Sequence, residues 1–348
     1  MNMKHHWLNM GMCLSLSVIA QGAGAASAQT SPLTVADGAN TTGAQKVSFQ
    51  NGAIRMAGHL YLPPGFDPSR PHAAILVAHP WGGVKEQTAG LYAQQLALRG
   101  FVTLAYDASH YGESGGEPRD LEDPAQRVQD IRSAVGYLNS LPYVDARRIA
   151  TLGICAGGGY VLHEAQTDPR VRAVATVVAY DIGGATREGI DGAPVTAADR
   201  QALLARVSEQ LNKEAAGAPV RVEPLVPSRA EWTASTPAFL REAYDYYQTP
   251  RGAHPHARNR YVVTSPGLHI GYYPLAHMEA LSPRPVLLIA GEKAETLRFS
   301  QEAYARAQQP KELLVIPGAS HFDLYDKPAF VGPSLDKLTA FFQQHLAP

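Results

Sequence analysis

Cys155 lies at a position that suits a catalytic nucleophile. It follows the apolar run Ile149–Gly153 after one intervening residue, in the pattern Gly153-Ile-Cys155-Ala-Gly157. A nucleophile on a sharp strand-to-helix turn needs small residues two positions away on either side, because the backbone closes in there. Backbone N–H groups at the start of the following helix would lower the pKa of the thiol and stabilise an oxyanion. The pattern predicts a nucleophile elbow; the alternative is a buried structural cysteine in a glycine-rich turn.

A second glycine-rich turn, His79–Gly83 (H-P-W-G-G), follows the apolar run Ala73–Ala78. Such a turn at a strand end can supply one donor of an oxyanion hole. Pro80 has no N–H, so the expected donors are the backbone N–H groups of Trp81 and of Ala156, the residue after the nucleophile. We expect His79 to hold this turn rather than to act as a base.

His321 is the predicted general base. It lies in Pro317-Gly-Ala-Ser-His321, beyond the last predicted strand, and a loop in that place can reach back to the elbow. His254, His256, His269 and His277 offer a different interpretation as a metal cluster. Neither cysteine ligands nor an H-E-x-x-H pattern supports a cluster there, so the sequence predicts no metal site.

Short apolar runs alternate with amphipathic segments, which predicts a mostly parallel α/β sheet flanked by helices. A hairpin over 47–62, turned at Asn51-Gly52, precedes them. The predicted later strands are Ala73–Ala78, Val102–Tyr106, Ile149–Gly153, Val171–Ala179, Val286–Ala290 and Glu312–Ile316. The predicted helices between them are Gln87–Arg99, Asp123–Leu141, Tyr160–Gln166 and Phe299–Gln308.

The alternation stops over 183–282, a stretch with helical patterns at Ala197–Ala215 and Pro237–Tyr247. It is too long for a structureless loop in a compact domain. We expect an inserted, mainly helical cap or lid; the alternative is an elongated crossover.

The composition excludes several classes of protein. The 348 residues are 45% hydrophobic, and 30 basic against 31 acidic residues give a formal net charge of −1. These values do not fit low-complexity disorder or a disulfide-rich miniature fold. No basic excess is present to attract nucleic acid.

The first 28 residues resemble a cleaved export signal. After Lys4, the apolar run Trp7–Ala20 is too short to span a membrane, and Ala26-Ser27-Ala28 has the form of a signal-peptidase site. We therefore expect a periplasmic or secreted protein without a stable membrane anchor, with a flexible leader at 29–44; a disordered N-terminus is the alternative. Cleavage would remove Cys13 and leave Cys155 without an internal disulfide partner.

These motifs together resemble the α/β-hydrolase superfamily. The resemblance rests on the elbow G-I-C-A-G-G-G-Y, the H-P-W-G-G turn, Asp107–Gly116 (D-A-S-H-Y-G-E-S-G-G) and the closing S-H-F-D-L-Y-D. The cysteine elbow is similar to that of the dienelactone hydrolase family, and the chain also resembles bacterial hydrolases related to fungal polyketide transferases and thiohydrolases. The resemblance implies a hydrolase core over 45–182 and 283–348, and it matches the cap over 183–282 only loosely.

The resemblance also implies a triad acid, and here the sequence departs from the family pattern. A G-x-x-D motif is expected after the strand at 286–290, but Gly291-Glu-Lys-Ala294 has alanine in the last place. Glu292 and Glu295 flank that position. Asp181, which ends the preceding strand, is the rival, because some lipases of this fold carry their acid there. The sequence favours Asp181 over Glu292 and leaves the choice open.

A cysteine–histidine pair forms a covalent thioester with an activated carbonyl group, so lactones, thioesters and activated esters are better substrates than amides. We expect a hydrolase that acts on a small-molecule acyl substrate. Two alternatives stay open, namely an acyltransferase with an alcohol acceptor and a non-catalytic binding protein on the same fold. No dinucleotide or phosphate-binding fingerprint occurs, so no cofactor is expected.

Overall fold

A computed structural model describes residues 43–191 and 193–348 of the chain. The predicted signal peptide and most of the predicted leader lie outside the described residues. The strands are β1 (Gln45–Asn51), β2 (Ile54–Tyr61), β3 (His72–Ala78), β4 (Val102–Tyr106), β5 (Val144–Ile154), β6 (Val171–Val177), β7 (Gly189–Ile190), β8 (Ala193–Pro194), β9 (Val222–Pro224), β10 (Arg260–Val262), β11 (Val286–Gly291) and β12 (Lys311–Ile316).

The α-helices alternate with these strands. They are α1 (Thr88–Ala97), α2 (Pro124–Ser140), α3 (Ala156–Ala165), α4 (Ile182–Glu188), α5 (Ala197–Ala215), α6 (Ala238–Tyr247), α7 (Ser265–His269), α8 (Leu297–Arg306), α9 (Asp323–Asp326) and α10 (Pro328–His345). Single 3₁₀ turns lie at Arg229–Glu231 and Met278–Leu281.

The main sheet has the order β1-β2-β4-β3-β5-β6-β11-β12. The hairpin strand β2 is antiparallel to both of its neighbours, and the pairs from β4 through to β12 are parallel. This confirms the predicted hairpin and the mostly parallel α/β sheet. Since the carboxyl ends of parallel strands meet at one edge, the loops after β3, β5, β6, β11 and β12 gather there.

Helix α2 begins where the sequence provides its own cap. The Asp123 carboxylate accepts hydrogen bonds from the backbone N–H groups of Ala125 and Gln126. Pro124 takes the first helical position, where a missing N–H costs nothing. Arg127, whose contacts in the candidate active site are described below, is buried in the first turn of this helix.

The C-terminal helix α10 is an element that the sequence analysis did not predict. It packs against α1, β6, β11 and β12. Its buried residues include Leu335, Leu338 and Phe342, whose spacing of three and four residues is typical of a helix with one apolar face.

The insertion between β6 and β11 contains helices α4 to α7 and the two small sheets β7–β8 and β9–β10. Helix α5 has the bounds that the sequence predicted, and its start is stabilised by a capping box between Thr196 and Asp199. Core and insertion belong to one compact unit. Among the described residues, no helix is both long and apolar enough to cross a bilayer.

Candidate active site

Cys155 occupies the junction between β5 and α3 with a backbone φ of 56° and ψ of −123°. A positive φ is unfavourable for a residue with a side chain, and such strain is typical of a nucleophile elbow. The two flanking glycines explain how the turn closes. A Cβ on Gly153 would lie 2.2 Å from the carbonyl oxygen of Gly157, and a Cβ on Gly157 would lie 2.4 Å from that of Ala78. Only glycine fits at both positions, so the G-x-C-x-G spacing has a steric cause.

The Cys155 thiol does not have the lowered pKa that the helix start predicts. Burial raises its pKa to about 11, which outweighs the opposing effects of the neighbouring Tyr325 hydroxyl and the Ala156 backbone N–H. The helix terminus and its N–H groups are present, but the cost of holding a thiolate away from water is larger. The resting Cys155 side chain is therefore a neutral thiol.

His321 is completely buried, and each ring nitrogen has a hydroxyl partner. Its Nδ1 lies 2.7 Å from Oγ1 of Thr296, and its Nε2 lies 3.2 Å from the hydroxyl oxygen of Tyr325. Burial lowers the pKa of the imidazole to about 3. His321 is therefore a neutral imidazole at physiological pH, a state in which a ring nitrogen can accept a proton.

The structure brings none of the three candidate carboxylates to His321. Asp181 begins α4, where its Oδ1 accepts a hydrogen bond of 2.8 Å from the Gly184 backbone N–H. Glu292 is exposed and accepts a hydrogen bond of 2.8 Å from the backbone N–H of Gly318. Burial raises the pKa of Glu295, which lies near Glu242 and Asp191. The place beside His321 Nδ1 belongs instead to Thr296.

Thr296 and Tyr325 were not predicted as site residues. Tyr325 lies within the S-H-F-D-L-Y-D motif, and Thr296 lies just after Gly291-Glu-Lys-Ala294. Thr296 comes two residues after the alanine that replaces the expected aspartate at 294. Tyr325 is part of S-H-F-D-L-Y-D, four residues after His321, and that spacing puts the two side chains on one side of a helical turn. The spacing of four residues from His321 was the sequence signal for Tyr325. Thr296 had no signal other than its closeness to position 294 in the sequence.

The H-P-W-G-G turn is held from beneath by His79. The Ala108 backbone N–H donates to His79 Nε2 over 3.0 Å, so Nδ1 carries the proton and donates to the Pro80 carbonyl over 2.7 Å. Both ring nitrogens are occupied by the backbone, which confirms the structural role expected for this histidine. The turn thereby brings the Trp81 side chain to the cavity that also contains Cys155.

A buried ionic network supports the same turn. Arg127 donates a hydrogen bond of 2.6 Å to the His79 carbonyl, and its guanidinium lies 3.7 Å from the Glu122 carboxylate. Glu122 in turn accepts a hydrogen bond of 2.7 Å from the hydroxyl of Tyr160, on the helix that follows the elbow. His269 of the insertion donates to the Glu122 carbonyl over 3.0 Å. The network links the turn, the elbow helix and the insertion.

The four histidines of the metal interpretation do not come together. His269 is committed to Glu122, and His277 is an exposed residue paired with Glu279. His254 and His256 are neighbours, with ring centroids 5.1 Å apart.

A cavity of about 270 Å³ adjoins Cys155. The core contributes Trp81, Cys155, Tyr180, Phe322 and Tyr325, and the insertion contributes Ala185, Gly189, Ile190, Ala193, Val195, Leu225, Val226, Pro237, Phe239, Leu240, Ala243 and Tyr247. Not one of these lining residues is charged. The cavity suits an uncharged, apolar group next to the thiol.

Comparison with known proteins gives matches to one enzyme family. A model of the dienelactone hydrolase family matches residues 56–188, a range that includes the H-P-W-G-G turn and the elbow. The uncharacterised protein PA2218 of Pseudomonas aeruginosa is 41% identical over 307 residues, which cover 87% of this chain and 81% of that protein.

The crystal structure of the hypothetical protein PA2218 superposes on this chain with a TM-score of 0.81 at 40% identity, covering 87% of this chain and 94% of that chain. Two fungal enzymes are more distant relatives. Polyketide transferase claH of Penicillium crustosum is 26% identical, with coverage of 87% of this chain and 97% of its own. Thiohydrolase aneE of Aspergillus aculeatus is 25% identical, with coverage of 84% and 91%.

Proposed function

Because this chain belongs to the dienelactone hydrolase family and has the α/β-hydrolase fold, we propose that this hydrolase cleaves a carboxylic ester, lactone or thioester through a covalent intermediate on Cys155. One observation carries the proposal. Cys155 on its strained elbow and Tyr325 both line one apolar cavity, and the Tyr325 hydroxyl contacts the neutral imidazole of His321.

The proposed first step is a proton relay. With the Nδ1 proton of His321 donated to Thr296, the lone pair on Nε2 accepts the hydrogen bond of the Tyr325 hydroxyl. The Cys155 thiol gives its proton to the Tyr325 oxygen while the Tyr325 proton passes to Nε2. The products are a thiolate, an unchanged tyrosine and an imidazolium, so the proton count balances.

Acylation then follows from the position of the elbow. The thiolate sulfur forms a bond to the carbonyl carbon, and the carbonyl π electrons move to the oxygen. We assign the stabilisation of that oxyanion to the backbone N–H groups of Ala156 and Trp81. When the carbonyl reforms, the alkoxide or thiolate leaving group departs and takes the proton from the imidazolium of His321.

Deacylation uses the same groups in the opposite sense. His321, neutral again, removes a proton from water as the water oxygen attacks the thioester carbonyl. The carbon–sulfur bond breaks, the carboxylic acid leaves, and the thiolate recovers a proton from the imidazolium.

The hydroxyl of Thr296 sets a limit on the substrate. A carboxylate beside Nδ1 would stabilise the imidazolium by direct charge attraction, whereas a hydroxyl can only accept its hydrogen bond. Burial lowers the pKa of His321, and without a carboxylate to compensate for it, proton transfer to this residue is costly. Substrates whose leaving group departs with little protonation, such as thioesters, aryl esters and strained lactones, are favoured over amides.

The cavity restricts the acyl group. An ionised acyl chain would be buried among uncharged side chains with no counter-charge, which is strongly unfavourable. We therefore propose an uncharged aliphatic or aromatic acyl group. The name thiohydrolase of the relative aneE supports thioesters as the first class to test.

The test is trapping of the acyl-enzyme. Wild type, Cys155→Ala and Cys155→Ser are mixed with phenyl thioesters, p-nitrophenyl esters and lactones, and intact mass spectrometry follows the protein. The proposal expects an acyl adduct on Cys155 in the wild type and loss of turnover in Cys155→Ala. Turnover by Cys155→Ala at the wild-type rate would disprove it.

Acyl transfer is the second candidate, supported by the name polyketide transferase of the relative claH and by the apolar walls that disfavour water. Adding small alcohols during thioester turnover separates the two activities. Ester formation at the expense of acid would favour the transferase.

We also propose export of the protein, on the basis of Ala26-Ser27-Ala28. Expression of the full chain in a bacterium with N-terminal sequencing of the product tests this proposal. A mature terminus at Gln29 is expected, and an intact terminus in the cytoplasmic fraction would contradict it.

A further inference from the structure

Three side chains of types that bind metals come from two distant parts of the sequence and lie close together outside the candidate active site. Glu86 follows the H-P-W-G-G turn, and His254 and His256 lie in the insertion after α6. One ligand atom from each residue can be chosen so that all three lie within 4.8 Å of one another. The shortest distances start from different Glu86 oxygens: Oε2 lies 4.0 Å from Nδ1 of His254, and Oε1 lies 3.9 Å from Nδ1 of His256.

The carboxylate of Glu86 is only half satisfied. Its Oε1 lies 2.7 Å from Nζ of Lys85, whereas its Oε2 is buried and has no hydrogen-bond partner among the described residues. A buried carboxylate oxygen without a donor is unfavourable, and a cation in the space beside it would satisfy this oxygen.

The spacing of these atoms is close to what a zinc ion needs. Zinc binds nitrogen and carboxylate oxygen at about 2.0–2.2 Å, so two ligands of one tetrahedral ion lie about 3.4 Å apart. The distances from the two Glu86 oxygens exceed this value by about half an ångström and are too long for hydrogen bonds. Side-chain rotations would have to bring the carboxylate and both imidazoles onto a shared ion. The ion would replace the long contact of 3.3 Å in which the His256 backbone N–H donates to His254 Nδ1.

The surrounding charges favour a cation. Lys85 opposes it, but its Nζ is already bound to Asp107 Oδ2 at 2.7 Å and to Glu113 Oε2 at 2.6 Å. One ammonium group thus faces three carboxylates, counting Glu86. A further imidazole, His59, has Nε2 at 4.0 Å from Glu86 Oε1.

We propose that Glu86, His254 and His256 bind a divalent transition metal, with Zn²⁺ as the expected ion and water at the remaining position. Two imidazoles and one carboxylate are a ligand set that zinc accepts. The site links the insertion to the core beside the H-P-W-G-G turn, where Gln87 already donates a hydrogen bond of 2.6 Å to the Gly252 carbonyl. The bound ion would hold this part of the insertion against the core, whatever reaction Cys155 performs.

The direct test is metal binding by the untagged, EDTA-treated full chain. Isothermal titration with Zn²⁺ is expected to show one saturable site in the wild type. His254→Ala, His256→Ala and Glu86→Gln should each weaken binding by at least about tenfold, the lower end of what loss of even an outer-shell partner of a metal ligand costs. His277→Ala is the matched control, because His277 is an exposed histidine paired with Glu279 away from this cluster; it should bind as the wild type does.

Titration with Co²⁺ gives a second readout, since its visible absorption reports nitrogen and oxygen ligands directly. The metal-free variants are first compared with the wild type by circular dichroism and thermal denaturation, which separates loss of a ligand from loss of the fold. Zinc should raise the melting temperature of the wild type and of His277→Ala but not that of His254→Ala. Absence of a saturable site, or equal affinity in wild type and His254→Ala, would overturn the proposal.

Discussion

Oγ1 of Thr296 lies 2.7 Å from Nδ1 of His321, in the place where a carboxylate would complete a conventional triad. A hydroxyl in that place orients the ring but does not neutralise an imidazolium. The site therefore starts from two neutral groups, a thiol and an imidazole. In the proposed mechanism, charge develops only as the substrate reacts.

Replacement of Thr296 by valine removes the hydroxyl and keeps the shape of the side chain. We expect kcat/KM for an aryl thioester to fall by roughly tenfold to a hundredfold, because the His321 ring loses its orienting contact. Thr296→Asp should raise the pKa of His321 and move the acid limb of the pH–rate profile upward. Ser300→Ala, which removes another buried hydroxyl from the same helix, is the control. An equal loss in both hydroxyl deletions would point to a general effect on α8.

Tyr325→Phe tests the relay between Cys155 and His321. Removal of the hydroxyl should lower kcat by about a hundredfold or more, as expected for loss of a proton-transfer group, and change KM little. Tyr106→Phe is the matched control, since its hydroxyl is buried as well but has no hydrogen-bond partner among the described residues, and Tyr106 does not line the cavity. Stopped-flow measurement of acylation provides the rates. Unchanged acylation in Tyr325→Phe would mean that His321 acts on the thiol without this hydroxyl.

The pKa of about 11 for Cys155 predicts slow alkylation of the free enzyme. At pH 7 the rate with iodoacetamide should be roughly a hundredfold or more below that of an unhindered cysteine. The rate should rise with pH up to about 11, because only the thiolate reacts. Mass spectrometry of the modified protein over pH 6–10 measures the profile. A plateau that begins below pH 8 would show that the thiolate is stabilised after all.

Asp181 should matter for stability rather than for catalysis. Burial raises its pKa to about 6 from an ordinary 3.8, so the unfolded chain releases this proton at lower pH than the folded chain. The contribution to stability is therefore present below pH 4 and is lost as the pH rises through 6, by up to about 3 kcal/mol. Asp181→Asn keeps an acceptor for the Gly184 N–H and removes the titration. Urea unfolding at pH 4 and pH 8 should show a gain at the higher pH only.

The same variant decides the role that the sequence assigned to Asp181. Turnover close to wild type is expected, because its contacts lie within α4 and not at His321. A large fall in kcat at unchanged stability would restore Asp181 as the triad acid.

Ala243 on α6 offers a test of the cavity, since it is buried and lines the wall opposite the core. Ala243→Phe should lower kcat/KM for octanoyl thioesters by roughly tenfold or more and leave acetyl thioesters nearly unchanged, because the added ring fills the space of the longer chain. Ala238→Phe, at an exposed position of the same helix, is the control. Equal effects on both chain lengths would place the acyl group elsewhere.

The features that could be predicted from the sequence depend on local pattern. Buried parallel strands are short apolar runs, so β4 at 102–106 was predicted residue by residue. The elbow was recognisable because only glycine fits at positions 153 and 157. Hairpin and insertion followed from turn residues and from the break in alternation.

The features that could not be predicted depend on packing between distant segments. Thr296 reaches His321 only because α8 and the loop after β12 meet at one sheet edge, and nothing in the residue type announces it. The direction of the Cys155 pKa shift was missed for a related reason. The helix start is a local feature that favours the thiolate, whereas burial of the thiol depends on the packing of the whole fold and opposes the thiolate more strongly.

Most of the residues that line the cavity and the residues proposed to react come from different segments of the chain. Cys155, His321 and Tyr325 come from the core, whereas most apolar wall residues come from the segment between β6 and β11. Substitutions in that segment are therefore expected to change which acyl group is accepted without changing Cys155, His321 or Tyr325. Related enzymes with different insertions are therefore expected to differ in substrate specificity. Grafting a new insertion onto the same core is a route to changing that specificity.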